Sequence, residues 1–341
     1  CEIKRKLTEQ TMENSTTVFF DGLGISFNVP SIAFTIGSYE VHWYGIIIAF
    51  GFALAVLYGG RTAYKWKMSL DGMTDVLICG TILGIVCARA YYVIFEWDYF
   101  SAHPSEIIQI WNGGIAIYGG IIGAIIGAAI GCKIGKIDFY NLLDMGALGL
   151  LIGQGIGRWG NFFNQEAFGM NTDTALFRMW SEKIRDNIIA NQGTLSEKGL
   201  SVDPNTAVQP TFLYESVWCI ALFLILHFFV IKRRKFKGEA FLLYGIGYGL
   251  ERAVVEGMRT DSLYFLGTTV RVSQVLSAAV VVVFAIWLIV MLVKLKKGTL
   301  PRRYQINPAP VVPVYTDTQS AYEYSNCASK PDGDFFFRVV K

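Results

Sequence analysis

Charge is scarce in this 341-residue chain: Asp, Glu, Lys and Arg make up 17% of it, against about a quarter in ordinary soluble domains. Histidine is scarcer still, at 3 residues, and the 6 cysteines form no CxxC pair. These shortages exclude a charged disordered chain and a disulfide scaffold, and the lack of a strict G-X-Y period excludes collagen. The net charge of +3 is too small to argue for nucleic acid as a partner. There is no GxSxG turn and no Cys set in a nucleophile context with His, so the sequence shows no nucleophile of its own. Residues 1–38 are polar and lack the basic and apolar regions of a signal peptide.

What the chain has instead is apolar length: 53% of its residues are hydrophobic, and 35 are glycine. Nearly uncharged runs long enough for a bilayer cover residues 43–60, 76–95, 115–134, 142–156, 211–231, 241–255 and 272–293, with the fourth and sixth ended early by Arg158 and Arg252. Basic residues follow every other run: Arg61, Lys65 and Lys67; Lys133 and Lys136; Lys232 to Lys237; Lys294, Lys296 and Lys297. The second run is followed by Glu96, Asp98 and Glu106. By the positive-inside rule the basic loops are cytoplasmic. The expected fold is an all-α polytopic membrane protein of about seven transmembrane helices, with the N-terminus outside, the C-terminus cytoplasmic and a small extracytoplasmic cap. Its parts are an outer N-terminal segment (1–38), a transmembrane catalytic domain (39–297) with an outer-face insertion (163–209), and a cytosolic tail (298–341) whose prolines and weak periodicity read as disorder.

Gly119, Gly123, Gly127, Gly131 and Gly135 recur at four-residue spacing, and Gly149, Gly153 and Gly157 repeat it. Such a stripe lets a second backbone approach closely, or lines a pore or lipid groove. The informative residues are charges beside apolar runs, where an Arg costs about 2.5 to 3.5 kcal/mol on insertion scales and calls for a partner or ligand. One set is the run Gly157-Arg158-Trp159-Gly160-Asn161-Phe162-Phe163-Asn164-Gln165-Glu166-Ala167-Phe168-Gly169. The other is Tyr244, Tyr248, Arg252 and Glu256, which four-residue steps keep on one helix face, followed by Arg259. Arg158 with Glu166, and Arg252 with Glu256, could neutralise each other. Two Arg sites at one membrane face fit a shared anion better, because a guanidinium fork matches phosphate oxygens, and a phospholipid headgroup is the natural candidate. His42-Trp43-Tyr44-Gly45 at the first run reads as interfacial anchoring or site, and Gln209-Pro210-Thr211-Phe212-Leu213-Tyr214-Glu215 as a helix start with Thr211 as cap.

Together the run from Gly157 to Gly169, HWYG at residue 42, WNGGIAIYGGIIG at residue 111, PTFLYE at residue 210 and YGLERAVVEGMR at residue 248 closely resemble the bacterial prolipoprotein diacylglyceryl transferase family, in order, over about residues 38–297. The resemblance implies transfer of the diacylglyceryl group of phosphatidylglycerol to the lipobox cysteine thiol of a prolipoprotein signal peptide. The products are a thioether and glycerol phosphate, formed without metal or other cofactor, in the bacterial plasma membrane. It implies catalytic roles for Arg158, Arg252, Tyr118 and Tyr44, and phosphatidylglycerol contacts at Arg158, Asn161, Glu166, Tyr248, Glu256, Arg259 and Gly120. Some members carry His where this chain has Tyr118, and that His serves as base for the thiol. A free phenol has a pKa of about 10 and a thiol about 8.5, so Tyr118 needs a nearby cation to take over the role. His42, Tyr248, Glu256 and the headgroup itself are the other candidate bases.

Fixed cations aimed at a leaving phosphate lower the barrier as it gains charge, which is the role expected of Arg158 and Arg252. The competing class is a secondary transporter of an anionic solute or lipid, since intramembrane charge and glycine-broken helices also mark solute paths. That class predicts internal repeats, and the chain shows none.

Overall fold

The computed structural model describes residues 15–37, 39–262, 264, 268 and 270–306, apart from the Asn112 side chain. Residues 1–14 and the tail from 307 onward, including most of the segment expected to be disordered, lie outside the described residues.

The described chain begins with two antiparallel hairpins, β1 (Ser15–Phe20) with β2 (Ile25–Pro30) and β3 (Ile32–Ile36) with β4 (Tyr39–His42). These short strands stand beside an otherwise helical architecture, as expected for a polytopic all-α membrane protein. In β1 burial alternates, with Val18 and Phe20 buried and Phe19 exposed between them, and β2 alternates Ser26 and Asn28 with Phe27 and Val29, the period-2 pattern of a half-buried strand; Gly24 turns the first hairpin at φ 65°. Helices follow: α1 (Trp43–Lys65), α2 (Leu70–Phe95), the short α3 (Trp97–Ala102), α4 (Ile117–Ile134), α5 (Phe139–Asn164), α6 (Glu182–Ala190), α7 (Gln192–Glu197), α8 (Thr211–Ile225), α9 (Glu239–Met258) and α10 (Val272–Lys296). A π-helical turn, Leu226–Val230, extends α8.

Among the described residues, α1, α2, α4, α8 with its extension, and α10 are long and apolar enough to cross a membrane. α5 and α9 reach 26 and 20 residues but carry the polar groups described below. Neither breaks at its Arg, as the sequence suggested: α5 continues past Arg158 to Asn164 and α9 past Arg252 to Met258. α5 is central, with Leu148 and Leu151 fully buried among Cys219 of α8 and Ala240 of α9. α10 is peripheral, with Met291 its one buried residue.

The two glycine stripes do different work. A Cβ on Gly119, Gly123 or Gly127 of α4 would lie 2.4, 2.2 or 2.3 Å from the carbonyls of Cys87, Leu83 and Cys79 on α2. That stripe is a backbone-to-backbone seam. On α5, Gly146 and Gly153 have nothing within 4 Å of such a Cβ, so this stripe leaves space instead of filling it.

Residues 163–209 and the first hairpin form one body. Phe19 and Trp180 exchange backbone hydrogen bonds at 2.8 and 2.9 Å. Val18, Phe20 and Val29 pack with Phe162, Phe168, Met179, Ile184, Val208 and Phe212, so this body sits on the C-terminal end of α5 and the start of α8. At the opposite end Asp144, fully buried, accepts from Arg234 (2.9 Å) and from the backbone N–H of Gly238 and Phe241 (2.9 and 3.1 Å), holding the start of α9 on α5. At the same end Leu300 and Tyr304 are buried with Phe236, Leu242 and Met291, and Lys237 N–H bonds the Tyr304 carbonyl at 2.8 Å.

The seam makes a direct prediction. Gly127→Ala forces α2 and α4 apart and costs about 1 to 3 kcal/mol, as overpacking does, whereas Gly153→Ala on the open stripe is neutral for stability. Thermal unfolding of the two variants in the same detergent measures the difference.

Candidate active site

Three guanidiniums meet at one carboxylate. Glu215, on the second turn of α8, is 1% exposed. Its Oε2 lies 2.5 Å from Arg158 Nη2 and 3.3 Å from Arg252 Nη1, and its Oε1 lies 3.1 Å from Arg259 Nη1. Arg252 also pairs with Glu256 at 2.6 Å one turn along α9, and Arg259 holds Asp261 at 2.6 and 2.9 Å. Arg259 is the most enclosed of the three, at 9% exposure against 18% for Arg158 and 21% for Arg252. Its burial between Glu215 and Asp261 makes it an anchor, while Arg158 and Arg252 keep an accessible side.

Local bonds explain how Glu215 reaches this point. Pro210 caps α8 without a side-chain bond, and Thr211 is its first helical residue, so Thr211 is not the cap that the sequence suggested; its hydroxyl donates instead to the Ala167 carbonyl. One residue beyond Glu215, the Ser216 hydroxyl donates to the Gly155 carbonyl at 2.8 Å and accepts from Trp159 Nε1 at 3.1 Å. These bonds fix α8 on α5 with Glu215 facing Arg158. On α9, Tyr244 and Tyr248 stack with ring centroids 5.7 Å apart, Gln154 donates to the Tyr244 hydroxyl at 3.1 Å, and Tyr248 is a hydrogen-bonding neighbour of Arg158. Arg271, at the start of α10, donates to the Glu256 carbonyl and so satisfies the end of α9.

Beside the cluster lies a cavity of about 810 Å³ between α1, the first turns of α2, and α5. Its walls are apolar along most of their length, with Phe52, Val56, Leu77, Met145 and Leu150 among them, and Gly146, Gly149 and Gly153 give it depth on the α5 side. Polar residues line it toward one end of α5: Gln154, Arg158 and Asn161, with Tyr44 from α1. From Leu142 to Asn161 α5 spans about 28 Å at 1.5 Å per residue, close to the hydrocarbon thickness of a bilayer at about 30 Å. The signature glycines shape this polar end. A Cβ on Gly160 would sit 2.7 Å from the Tyr44 ring, and one on Gly157 would sit 3.1 Å from Ile48. Both positions must stay bare for α1 to lie on α5 with Tyr44 beside Arg158.

The sequence-derived set is therefore divided. Arg158, Arg252, Arg259, Glu256 and Tyr248 gather around Glu215, and Tyr44, Asn161 and Arg158 line the cavity. Arg252 reaches Arg158 through Glu215 and does not line the cavity. Glu166 is not the partner of Arg158; it accepts from Asn164 at 3.3 Å. Tyr118 and Gly120 stand elsewhere, on the first turn of α4, where the Gly120 Cβ position is 3.6 Å from Ala88 of α2. Sequence reasoning took Glu215 for a helix-start carboxylate. No local signal marked it, because Glu166, Glu251, Glu256 and Asp261 already lie near the three arginines in the chain.

The fold and this cluster define a multi-pass membrane protein whose apolar cavity ends in a guanidinium, a site shaped for an amphiphile with an anionic head. The family model described as prolipoprotein diacylglyceryl transferase matches residues 31–291. Proteins named phosphatidylglycerol–prolipoprotein diacylglyceryl transferase are similar over most of the chain. One from Bacillus velezensis is 42% identical over 278 residues, 81% of this chain and 96% of its own. One from Limosilactobacillus reuteri is 42% identical over 276 residues, 81% and 94%, and one from Listeria monocytogenes is 45% identical over 252 residues, 74% and 86%. The chain belongs to the prolipoprotein diacylglyceryl transferase family, and it is an enzyme, a transferase of lipoprotein biosynthesis. That membership displaces the transporter alternative.

Glu215→Gln is expected to leave three guanidiniums without their shared counter-charge. Breaking a buried ion pair from one side costs about 3 to 5 kcal/mol, so the variant should melt well below the parent in detergent and lose transferase activity. Glu166→Gln, at a carboxylate that none of the three arginines contacts, should keep the parent's melting temperature.

Proposed function

We propose that this enzyme moves the diacylglyceryl group of phosphatidylglycerol onto the lipobox cysteine of a prolipoprotein at the outer face of a bacterial plasma membrane. The observation that carries this reading is the placement of Arg158. It is held by Glu215 on one side and open on the other to an apolar cavity whose length suits acyl chains. In this reading α5 and α9 also cross the membrane, giving seven spans, with the basic loops cytoplasmic and the body formed by the first hairpin and residues 163–209 outside. The outer segment, the transmembrane domain and the cytosolic tail then divide the chain as the sequence suggests.

The lipid enters with its phosphate at Arg158 and its chains along the glycine-lined wall, and Asn161 and Tyr44 flank the headgroup. The thiolate of the lipobox cysteine attacks the glycerol carbon that bears the phosphate. A C–S bond forms as the C–O bond to phosphate breaks, and the phosphate leaves carrying the head glycerol. Charge grows on the leaving oxygens, and the guanidiniums of Arg158 and Arg252 are already oriented by Glu215 and Glu256, so little reorganisation is needed as it does so. Arg259, locked by Asp261, holds Glu215 in place. The peptide supplies the nucleophile, in keeping with the lack of one in the sequence. In this reading the acceptor of the thiol proton is the phenolate form of Tyr118, which becomes the neutral phenol; Tyr118 stands where some members of the family carry His.

Arg158→Ala and Arg252→Ala should each lower the rate roughly 10²- to 10³-fold, the usual effect of losing one preorganised donor, while both proteins still insert. The assay is transfer from labelled phosphatidylglycerol to a lipobox peptide, and normal lipidation by both variants would remove the phosphate clamp. Tyr118→Phe should lose the pH dependence of the parent between roughly pH 6 and 9, a range that brackets the ordinary thiol pKa of about 8.5. An unchanged profile would relieve Tyr118 of the proton.

A further inference from the structure

We propose that Arg89 is a positioning residue for this reaction: it holds the loop that leads into α4 and thereby sets where Tyr118 stands. Arg89 lies two turns from the end of α2 and is buried. Its guanidinium donates to four backbone carbonyls: Nε to Ile107 and Nη2 to Glu106, each at 2.7 Å, and Nη1 to Gly113 and Gly114 at 2.8 and 2.7 Å. The faces of Phe100 and Tyr92 lie 5.1 and 5.9 Å from it. Among the described residues no carboxylate pairs with it, so carbonyl dipoles and rings meet its charge.

This cradle accounts for the pair Gly113 and Gly114, which the reaction leaves unused. Gly113 and Gly114 have φ of 85° and 75°, conformations that side chains with a Cβ rarely adopt, and these bring both carbonyls onto one Nη1. A Cβ on Gly114 would sit 2.6 Å from that nitrogen and 2.6 Å from the Tyr92 ring. Two residues later the Ala116 N–H bonds the Ala88 carbonyl at 3.0 Å, and Tyr118 follows as the second residue of α4. One side chain therefore ties the loop at residues 106–107 and again at 113–114, four positions before Tyr118.

The glycine seam already joins α2 to α4 from Gly119 to Gly135, so the helix pair does not need Arg89 to stay together. What Arg89 adds is the path of the loop and the angle of the first turn of α4. Lysine cannot replace it, since a point charge with three donors does not reproduce a planar fork that serves four carbonyls.

The inference rests on the assignment of Tyr118 as proton acceptor, and the experiment separates the two. Full-length Arg89→Lys, Arg89→Gln, Gly114→Ala and Tyr118→Phe enzymes are assayed with phosphatidylglycerol vesicles and a lipobox peptide across pH, and their melting temperatures are recorded. The Arg89 and Gly114 variants are expected to keep KM for the lipid within about threefold and to lose roughly 10- to 100-fold in kcat, as a misplacement of about 1 Å does. Their pH profiles should change as that of Tyr118→Phe does, and Arg89→Lys with Gly114→Ala combined should be no worse than Arg89→Lys alone, because Gly114→Ala disturbs a contact that the lysine variant has already lost. Parent-like kcat and pH profile in both Arg89 variants, with Tyr118→Phe impaired, overturn the cradle alone. The same result follows if the Arg89 variants lose only melting temperature. Slow Arg89 variants beside a parent-like Tyr118→Phe overturn the link to Tyr118 and the proton assignment with it.

Discussion

A single carboxylate, Glu215, decides how this membrane interior tolerates three guanidiniums. Each cation alone would be expelled from low dielectric or would draw in water. Gathered on one buried acid, with Glu256 and Asp261 taking up remaining donors, they become a fixed array. The helix contacts follow from that requirement. The Ser216 and Trp159 bonds between α5 and α8, and the Arg271 bond that closes the end of α9, all keep the four charged elements in register. The array is close to neutral before any ligand arrives, so an incoming phosphate meets guanidiniums that are oriented yet partly committed. Such a site discriminates by geometry more than by net attraction.

The helices were legible because uncharged length is the strongest signal a sequence carries. The site was legible in part, for a different reason: Arg158, Arg252 and Arg259 are anomalies against an apolar background. Glu215 was hidden because it lies far along the chain from all three arginines, and its position at the start of α8 offered a sufficient local explanation. Arg89 was hidden in the opposite way. A lone cation inside an apolar run passes as tolerable, and its partners are backbone carbonyls, which have no identity in sequence. The hairpins were read as merely polar because Ser, Thr and Asn lie among Val and Phe there, and the alternation of burial matters more than the average.

Glycine shows the same limit. The stripes on α4 and α5 share a spacing, and from the sequence close packing is the first reading of both, with a groove the second. Only the neighbours separate them: on α4 the next backbone occupies the missing Cβ, and on α5 at Gly146 and Gly153 nothing does. The result is one rigid helix pair beside one wall that stays hollow. That division gives the cavity its depth on the α5 side.

The platform at the C-terminal end of α5 is stitched from two distant stretches, with Phe19 in the first hairpin bonded to Trp180 and the core shared from Val18 to Val208. During synthesis the hairpin appears before α1, yet its apolar face has no partner until the stretch beyond α5 has been made. For that interval the chain carries an unfinished surface, and the end of α5 that bears Arg158 is uncovered. Closure of the platform is therefore a late event in biogenesis, and a protease acting before it would find the nascent chain vulnerable at its leading strands.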